Sequence, residues 1–418
     1  MKPLFWLLFG ALVYTYAGYS LLIWVWGRFM GLRRPRPPLA PGQLNPPLPL
    51  GSKHPLSLGS NPPPLAGQGG DMGTREHELH RLPTVSLLIA AYNEEKSILA
   101  KLENAKALEY PPELLEIVVV SDGSTDGTNR LVKGVDGVRL IAWEGNLGKA
   151  EALSRSVPLT RGEIIIFSDA TGMWNPGAIK AMARHFEDPA VGCVAGEVVY
   201  VDPGTAVASG QGLYWRYEVW HRRALSLIGG LTVVSGSIHA VRRKLFAPSP
   251  SEVGLDMVVP LRTLGEGYRV VYEPEALSHE EPSPTLRAEF SARVRVVTRA
   301  FREIQALARF LNPLVYGWTS FHWFSHKILR WLAAPLLLLL LLVSVLLFED
   351  PLYRWMLWGQ LAFYGLGAIG FLLARLGRSA GLLAVPFYFL LMNVTALIGL
   401  ARYLMGHRIK SWQPVRGS

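Results

Sequence analysis

Three carboxylates stand where apolar runs give way to polar turns. Asp122 lies in Ser121-Asp-Gly-Ser-Thr-Asp-Gly127, directly after Glu116-Ile-Val-Val-Val120. A carboxylate there accepts hydrogen bonds from a base or ribose, and the glycines permit close backbone approach. Alternatively, Asp122 or Asp126 makes the turn or caps the next helix. Asp169 closes the run Ile164 to Ser168. That position suits a hard divalent cation, which takes oxygen ligands and bridges phosphates, and Thr171 offers a hydroxyl. The alternative is a helix cap ahead of Asn175-Pro176. Asp256, in Gly254-Leu-Asp-Met-Val-Val-Pro260, reads as a general base or as an N-cap. Lys149, in Gly145-Asn-Leu-Gly-Lys-Ala150, meets a phosphate as a point charge or is a solvated lysine at a helix start. Its spacing does not make a Gly-x-x-x-x-Gly-Lys-Ser/Thr loop. Arg295, Arg299 and Arg302 are spaced i, i+4, i+7 and share one helical face. They meet lipid phosphates at an interface, or Arg293 or Arg295 presents a guanidinium fork to a phosphorylated ligand.

These residues need elements to hold them. Val85 to Ala90, Glu116 to Val120, Val138 to Ala142 and Gly162 to Ser168 are short apolar runs of strand type. Helical stretches such as Ile98 to Ala107 separate them. Alternation of this kind makes βαβ units and a largely parallel sheet, an α/β fold. Ligands bind such sheets at the carboxyl ends of the strands, which is where the polar clusters fall.

The flanks are of another kind. Of 418 residues, 50% are hydrophobic and only 18% charged, and the excess of apolar residues is unevenly placed. Leu4 to Trp26 carries no charge and is long enough to cross a bilayer. Its aromatics continue to Trp26, so it reads as a retained anchor rather than a cleaved signal. Arg28, Arg33, Arg34 and Arg36 follow it, which places the next segment in the cytoplasm. Leu332 to Phe348, Trp355 to Ala374 and Gly381 to Ala401 are three further apolar stretches of spanning length. They give four crossings and an outside tail, although Arg402, Arg408, Lys410 and Arg416 in that tail argue against this. Net charge is +10. Beside membrane segments this fits an anionic lipid surface or a phosphorylated substrate, not a nucleic acid polymer. The single cysteine, Cys193, excludes an internal disulfide and a multi-cysteine zinc site.

Taken in order, Ala90-Ala-Tyr-Asn-Glu94, Val119 to Gly127, Gly148-Lys-Ala-Glu-Ala-Leu153, Phe167-Ser-Asp-Ala170 and Tyr272-Glu-Pro-Glu-Ala276 resemble the family 2 glycosyltransferases. The likeness is to their membrane-bound branch of cellulose, hyaluronan and poly-N-acetylglucosamine synthases. It covers about Pro83 to Arg309. The resemblance implies a GT-A nucleotide-diphospho-sugar transferase domain with a mixed, mainly parallel sheet and flanking transmembrane helices. It implies inverting transfer from a nucleotide-diphospho-sugar, a UDP-sugar first, to a lipid or glycan acceptor. By it, Asp122 contacts the base or ribose, Ala91 and Glu94 line that pocket, and Lys149 lies on the donor side. Asp169 holds Mg2+ or Mn2+ on the diphosphate, and Asp256 deprotonates the acceptor. Three departures stand out. Asp-x-Asp is Asp169-Ala-Thr171, with His239 a candidate substitute ligand or a packed structural histidine. Glu-Asp at the base is Leu255-Asp256. Gln-x-x-Arg-Trp is absent, and Arg293, Arg295, Arg299 and Arg302 stand there instead. Alternatives are a polyprenyl-phosphate sugar transferase, a processive polysaccharide synthase and an inactive sugar-nucleotide-binding scaffold.

The expected organisation is an anchor over 1–30, a Pro/Gly-rich linker over 31–82 and the transferase domain over 83–310. An interfacial segment over 311–330, three transmembrane helices over 331–402 and a basic tail over 403–418 follow. The expected location is the inner cell membrane, multi-pass, with the catalytic domain and its donor on the cytoplasmic side.

Overall fold

The computed structural model describes residues 1–30, 82–200, 206–249, 252–283 and 285–407. Nearly all of the expected linker and residues 408–418 of the tail lie outside them.

Eight strands form one sheet: β1 (Val85–Ala91), β2 (Leu115–Asp122), β3 (Val138–Trp143), β4 (Ile164–Asp169), β5 (Met173–Trp174), β6 (Val191–Tyr200), β7 (Ile238–Arg242) and β8 (Arg269–Glu280). Their order is β3-β2-β1-β4-β7-β6-β8-β5. The β3-β2-β1-β4 half is parallel. β7 runs antiparallel to both β4 and β6, β8 is parallel to β6, and β5 pairs antiparallel to β8. The carboxyl ends of β1, β2, β4, β6 and β8 therefore share one edge, where β7 begins. That edge collects Ala91, Asp122, Asp169 and Glu280. The period of two in strands then sorts the side chains. Val118, Val120, Ile165 and Phe167 enter one core, while Val119, Ile164 and Ile166 enter the other. Asp122 and Asp169 share parity with the first set.

That first core also takes Tyr19 and Ile23 from the N-terminal helix and Trp323 from a C-terminal one, so the sheet is packed directly onto the apolar helices. α1 (Lys2–Val13) and α2 (Tyr19–Met30) are joined by a π turn over Tyr14–Gly18. Within the domain follow α3 (Ile98–Lys106), α4 (Thr128–Lys133), α5 (Lys149–Ser156), α6 (Ala178–Ala183), α7 (Ala206–Leu227) and α8 (Leu255–Gly265). α9 (Leu286–Ala306) then leads to α10 (Trp318–Trp323), α11 (Leu329–Leu346), α12 (Pro351–Arg375) and α13 (Ala384–Leu404).

Among the described residues, four helical stretches are long and apolar enough to cross a membrane: Lys2–Phe29, Trp318–Leu346, Pro351–Arg375 and Gly381–Leu404. The aromatic segment before Leu332 and the apolar stretch after it are a single helix, continued through a second π turn at Phe324–Ile328. Polar residues inside that helix find partners on neighbouring elements, so no break is needed between them.

Candidate functional site

Asp122 ends β2 and is 2% exposed. Its carboxylate accepts from the backbone N–H of Leu147 at 2.7 Å and of Gly148 at 2.9 Å. Burial pushes its pKa up, and these two hydrogen bonds partly offset that. Gly123, at φ +73°, lets the β2 loop come down on Gly145, whose carbonyl oxygen would lie 2.4 Å from any Cβ there. Asp122 therefore fixes the loop that launches α5. The turn-making role falls to Asp126, whose Oδ1 accepts from Thr128 N at 3.0 Å.

Ala91 ends β1 beside Ser121. Asn93, at φ +56°, turns the chain, and its side chain accepts from Thr125 N at 2.7 Å. Glu94 is buried. Its carboxylate accepts from Ser97 Oγ at 2.5 Å and its N–H donates to Thr128 Oγ1 at 2.8 Å. The β1 and β2 loops are thus stitched into one wall, and Glu94 helps hold that wall to the start of α3.

Lys149 is the first residue of α5. Its ammonium sits on Asp169 Oδ1 and donates to Gly236 O at 3.2 Å. It is neither a solvated helix-start lysine nor remote from the carboxylates. Asp169 ends β4 and caps no helix. Its Oδ2 lies 3.5 Å from Ser237 Oγ. Glu280, at the end of β8, accepts from Ser278 Oγ at 3.4 Å. Burial raises the Glu280 pKa, the nearby Ser237 and Ser278 hydroxyls oppose the rise, and Asp169 adds to it. Thr171 is exposed.

Asp256 lies in the first turn of α8, two residues after the N-cap Gly254, and makes no side-chain cap. Arg299 Nη2 approaches its Oδ1 at 3.4 Å. A Cβ on Gly236 would lie 3.7 Å from Lys149 Nζ and 4.0 Å from Asp256 Cβ, so one backbone turn separates the two side chains. His239 is buried beneath this turn. Its Nδ1 is 2.7 Å from Ser235 O and its ring stacks on Phe167 at 4.9 Å. Burial lowers its pKa to about 4, leaving it neutral. Its Nε2 has no hydrogen-bond partner among the described residues.

The arginines separate. Arg293 donates to Glu289 at 2.8 Å and to Tyr388 Oη at 3.0 Å, and Arg302 donates to the carbonyls of Gly406 and His407. Burial lowers the pKa of Arg295, and neighbouring Arg299 adds to the shift. Of the four, Arg299 is the one placed on Asp256.

Sequence reasoning missed Glu280, Glu303 and Lys101. Lys101 is wholly buried under the loop after β4, donates to Gly172 O at 2.5 Å and lies 4.6 Å over the Trp174 ring. Burial lowers its pKa to about 7 against the opposing pull of Asp169 and Glu280. The only available signal for Glu280 was the polar run closing β8.

Asp169 and Ser237 offer hard oxygen donors 3.5 Å apart, and Glu280 lies near enough to feel the Asp169 charge, the chemistry a divalent cation needs. No group of three or more His, Cys, Asp or Glu side chains gathers as a metal site among the described residues. The fit therefore rests on two carboxylates and a hydroxyl, with a bound diphosphate able to add further oxygens.

The Glycosyl transferase family 2 model matches residues 86–247. A beta-monoglucosyldiacylglycerol synthase of Nostoc sp. is 29% identical over 177 residues, covering 39% of this chain and 36% of that protein. A poly-beta-1,6-N-acetyl-D-glucosamine synthase of Staphylococcus aureus is 26% identical over 223 residues, covering 51% and 54%. The chain spans about a third to a half of the length of these curated relatives. The mannosyltransferase PcManGT of Pyrobaculum calidifontis, solved with GDP-Man and Mn2+, is 19% identical. It matches with a TM-score of 0.58 over 97% of this chain and 100% of that one, a likeness of fold. The sheet order, the carboxylates at its carboxyl edge and the matched span agree: this chain carries a Glycosyl transferase family 2 domain on a GT-A-like, mainly parallel sheet.

Proposed function

We propose that the chain transfers a sugar from a nucleotide-diphospho-sugar, a UDP-sugar first, to a hydroxyl of a lipid or glycan at the cytoplasmic face of the cell membrane, with inversion. The observation that carries this reading is the placement of Asp122, the Lys149–Asp169 pair and Asp256 in sequence along one sheet edge. The β1 and β2 loops form the base and ribose side. Lys149 lies between them and Asp256, where its charge stabilises the departing diphosphate. Asp256 takes the acceptor's proton as the acceptor oxygen bonds to the sugar C1. The C1–O bond to the diphosphate breaks on the opposite face, and the nucleoside diphosphate leaves. Mg2+ or Mn2+, held by Asp169 with Glu280 and Ser237, would supply Lewis-acid neutralisation of the diphosphate. No tryptophan lies between Trp220 and Trp318 to serve as a platform for a growing chain, which favours one or a few transfers onto a lipid.

The test uses full-length protein in detergent. UDP-glucose, UDP-N-acetylglucosamine and GDP-mannose are each offered with diacylglycerol, polyprenyl phosphate or an oligosaccharide. Nucleoside diphosphate release and product mass are the readouts. Asp256→Asn should lower turnover by about 10²-fold or more with donor affinity kept. Near-native turnover in that variant overturns the base assignment, and chains of tens of sugars overturn the short-transfer reading.

A further inference from the structure

We propose that Arg299 and Glu303 of α9 are positioning residues that orient the Asp256 carboxylate and tune it as a base. This rests on the transferase reading above and assigns a role to a helix lying wholly outside the matched family span.

The geometry is a closed set of contacts. Arg299 Nε donates to Glu303 Oε1 at 2.8 Å, and Arg299 Nη2 reaches Asp256 Oδ1 at 3.4 Å. The same Glu303 Oε1 accepts from Gly254 N at 2.7 Å, two residues before the base. Asp256 O accepts from Val234 N at 2.9 Å, which fixes the backbone from the opposite side. Gly254 has no room for a side chain. A Cβ there would lie 2.2 Å from both Arg299 Nη2 and Asp256 Oδ1, and 2.9 Å from Glu303 Oε1. Side chain and backbone of the turn are thus gripped together.

Charge decides how that grip acts. Glu303 is 3% exposed, so its carboxylate is costly to bury without a partner. Pairing with Glu303 divides the guanidinium between two carboxylates, and the longer contact falls to Asp256. About a third of the Asp256 side chain remains exposed, leaving it open to an acceptor hydroxyl. The other titratable groups facing it are His239 from β7 and Lys149 across Gly236. Full pairing with Arg299 would tie up the carboxylate that must take the acceptor's proton. Without the arginine, the buried Glu303 carboxylate would face it uncompensated.

The two removals therefore have opposite signs. Full-length Glu303→Gln, Arg299→Met, Arg299→Lys and Asp256→Asn are assayed with UDP-glucose and diacylglycerol micelles, or with whichever pair of the panel turns over. Glu303→Gln should lower kcat about 10-fold with donor KM within twofold. It should also move the acidic limb of kcat/KM down by about half to one pH unit. Arg299→Met should move that limb up by a similar amount. Arg299→Lys should hold it near the native position, a rescue that packing alone would not give. Limbs that stay fixed, or move the same way in both variants, overturn the positioning role while Asp256→Asn remains inactive. An active Asp256→Asn overturns the base assignment itself. Glu303→Gln is nearly isosteric, and Arg299→Lys keeps the charge if Arg299→Met fails to fold.

Discussion

At the scale of single residues, the strand ends carry the carboxylates: Asp122 closes β2, Asp169 closes β4 and Glu280 closes β8. Asp122 and Asp169 announce themselves because apolar runs of known period stop at them. Lys149 reads equally as a solvated residue or a phosphate ligand, and only the fold brings its ammonium onto Asp169. Glu280 is less visible still. Its strand is in register with Tyr200 on β6, a pairing across 80 residues that passes register shifts no local pattern records. Its position bears on the missing acid of the Asp-x-Asp motif. Thr171 is exposed, whereas Glu280 is close enough to Asp169 for that carboxylate to raise its pKa. Glu280→Gln should therefore weaken Mn2+ binding about 10-fold or more, since a hard cation loses a charged oxygen ligand. Thr171→Asp should strengthen it. Electron paramagnetic resonance titration of Mn2+ against full-length protein with UDP measures both. Unchanged affinity in Glu280→Gln would leave Asp169 as the sole protein carboxylate on the ion.

At the scale of elements, the apolar helices were legible by length, but the polar seam holding them to the domain was not. Glu218 on α7 is 2% exposed and is met by Lys327 at 2.8 Å and Arg330 at 2.9 Å, with His326 at 3.4 Å. Tyr14 Oη and Ser325 Oγ lie 2.9 Å apart, joining the two π turns. Such turns insert one residue per helix and leave no sequence signature that helix periodicity exposes. Burial would raise the Glu218 pKa, but Lys327, Arg330 and His326 outweigh it and hold the carboxylate well below its usual range. A carboxylate depressed in the fold stabilises above its unfolded pKa, and that stability fades as pH falls through the lower folded value. Glu218→Ala should cost about 3–5 kcal/mol at neutral pH, because it strands buried cations. It should also flatten the acid side of the stability profile. Thermal unfolding in detergent from pH 7 downward checks both, and a native-like midpoint at pH 7 would mean that the seam carries no net stability.

At the scale of the whole molecule, apolar length allows four crossings, and contacts along the helices bear on which of the four cross. The N-terminal helix runs antiparallel to Trp318–Leu346 over its whole length. Lys2 pairs with Asp350 at 2.8 Å, Tyr19 Oη lies 3.0 Å from His322 Nδ1, and Trp26 packs on Trp318 at 4.2 Å. Lys2 and the turn before α12 thus lie at the far end from the domain, and α12 returns toward it with Arg375 and Arg378. The last helix differs. Tyr388 bonds Glu289 at 2.7 Å, Gly399 lies against Val297 and Thr298, and Arg302 caps Gly406 and His407, so α13 runs beside α9 from end to end. Both ends of α9 belong to the transferase side. It follows β8, Arg299 reaches Asp256, and Phe310 just beyond it packs on Gly265. We predict that a helix running parallel to α9 over about 30 Å begins and ends on that side and lies in the interface instead of crossing. That prediction would also remove the conflict over the basic charge of the tail. Cys193 is fully buried, so single added cysteines report cleanly. Glu349→Cys should react with a membrane-impermeant maleimide in intact cells, and Ser418→Cys only after permeabilisation. Labelling of Ser418→Cys in intact cells would make α13 a fourth crossing and require the packing of α9 and α13 to lie within the bilayer.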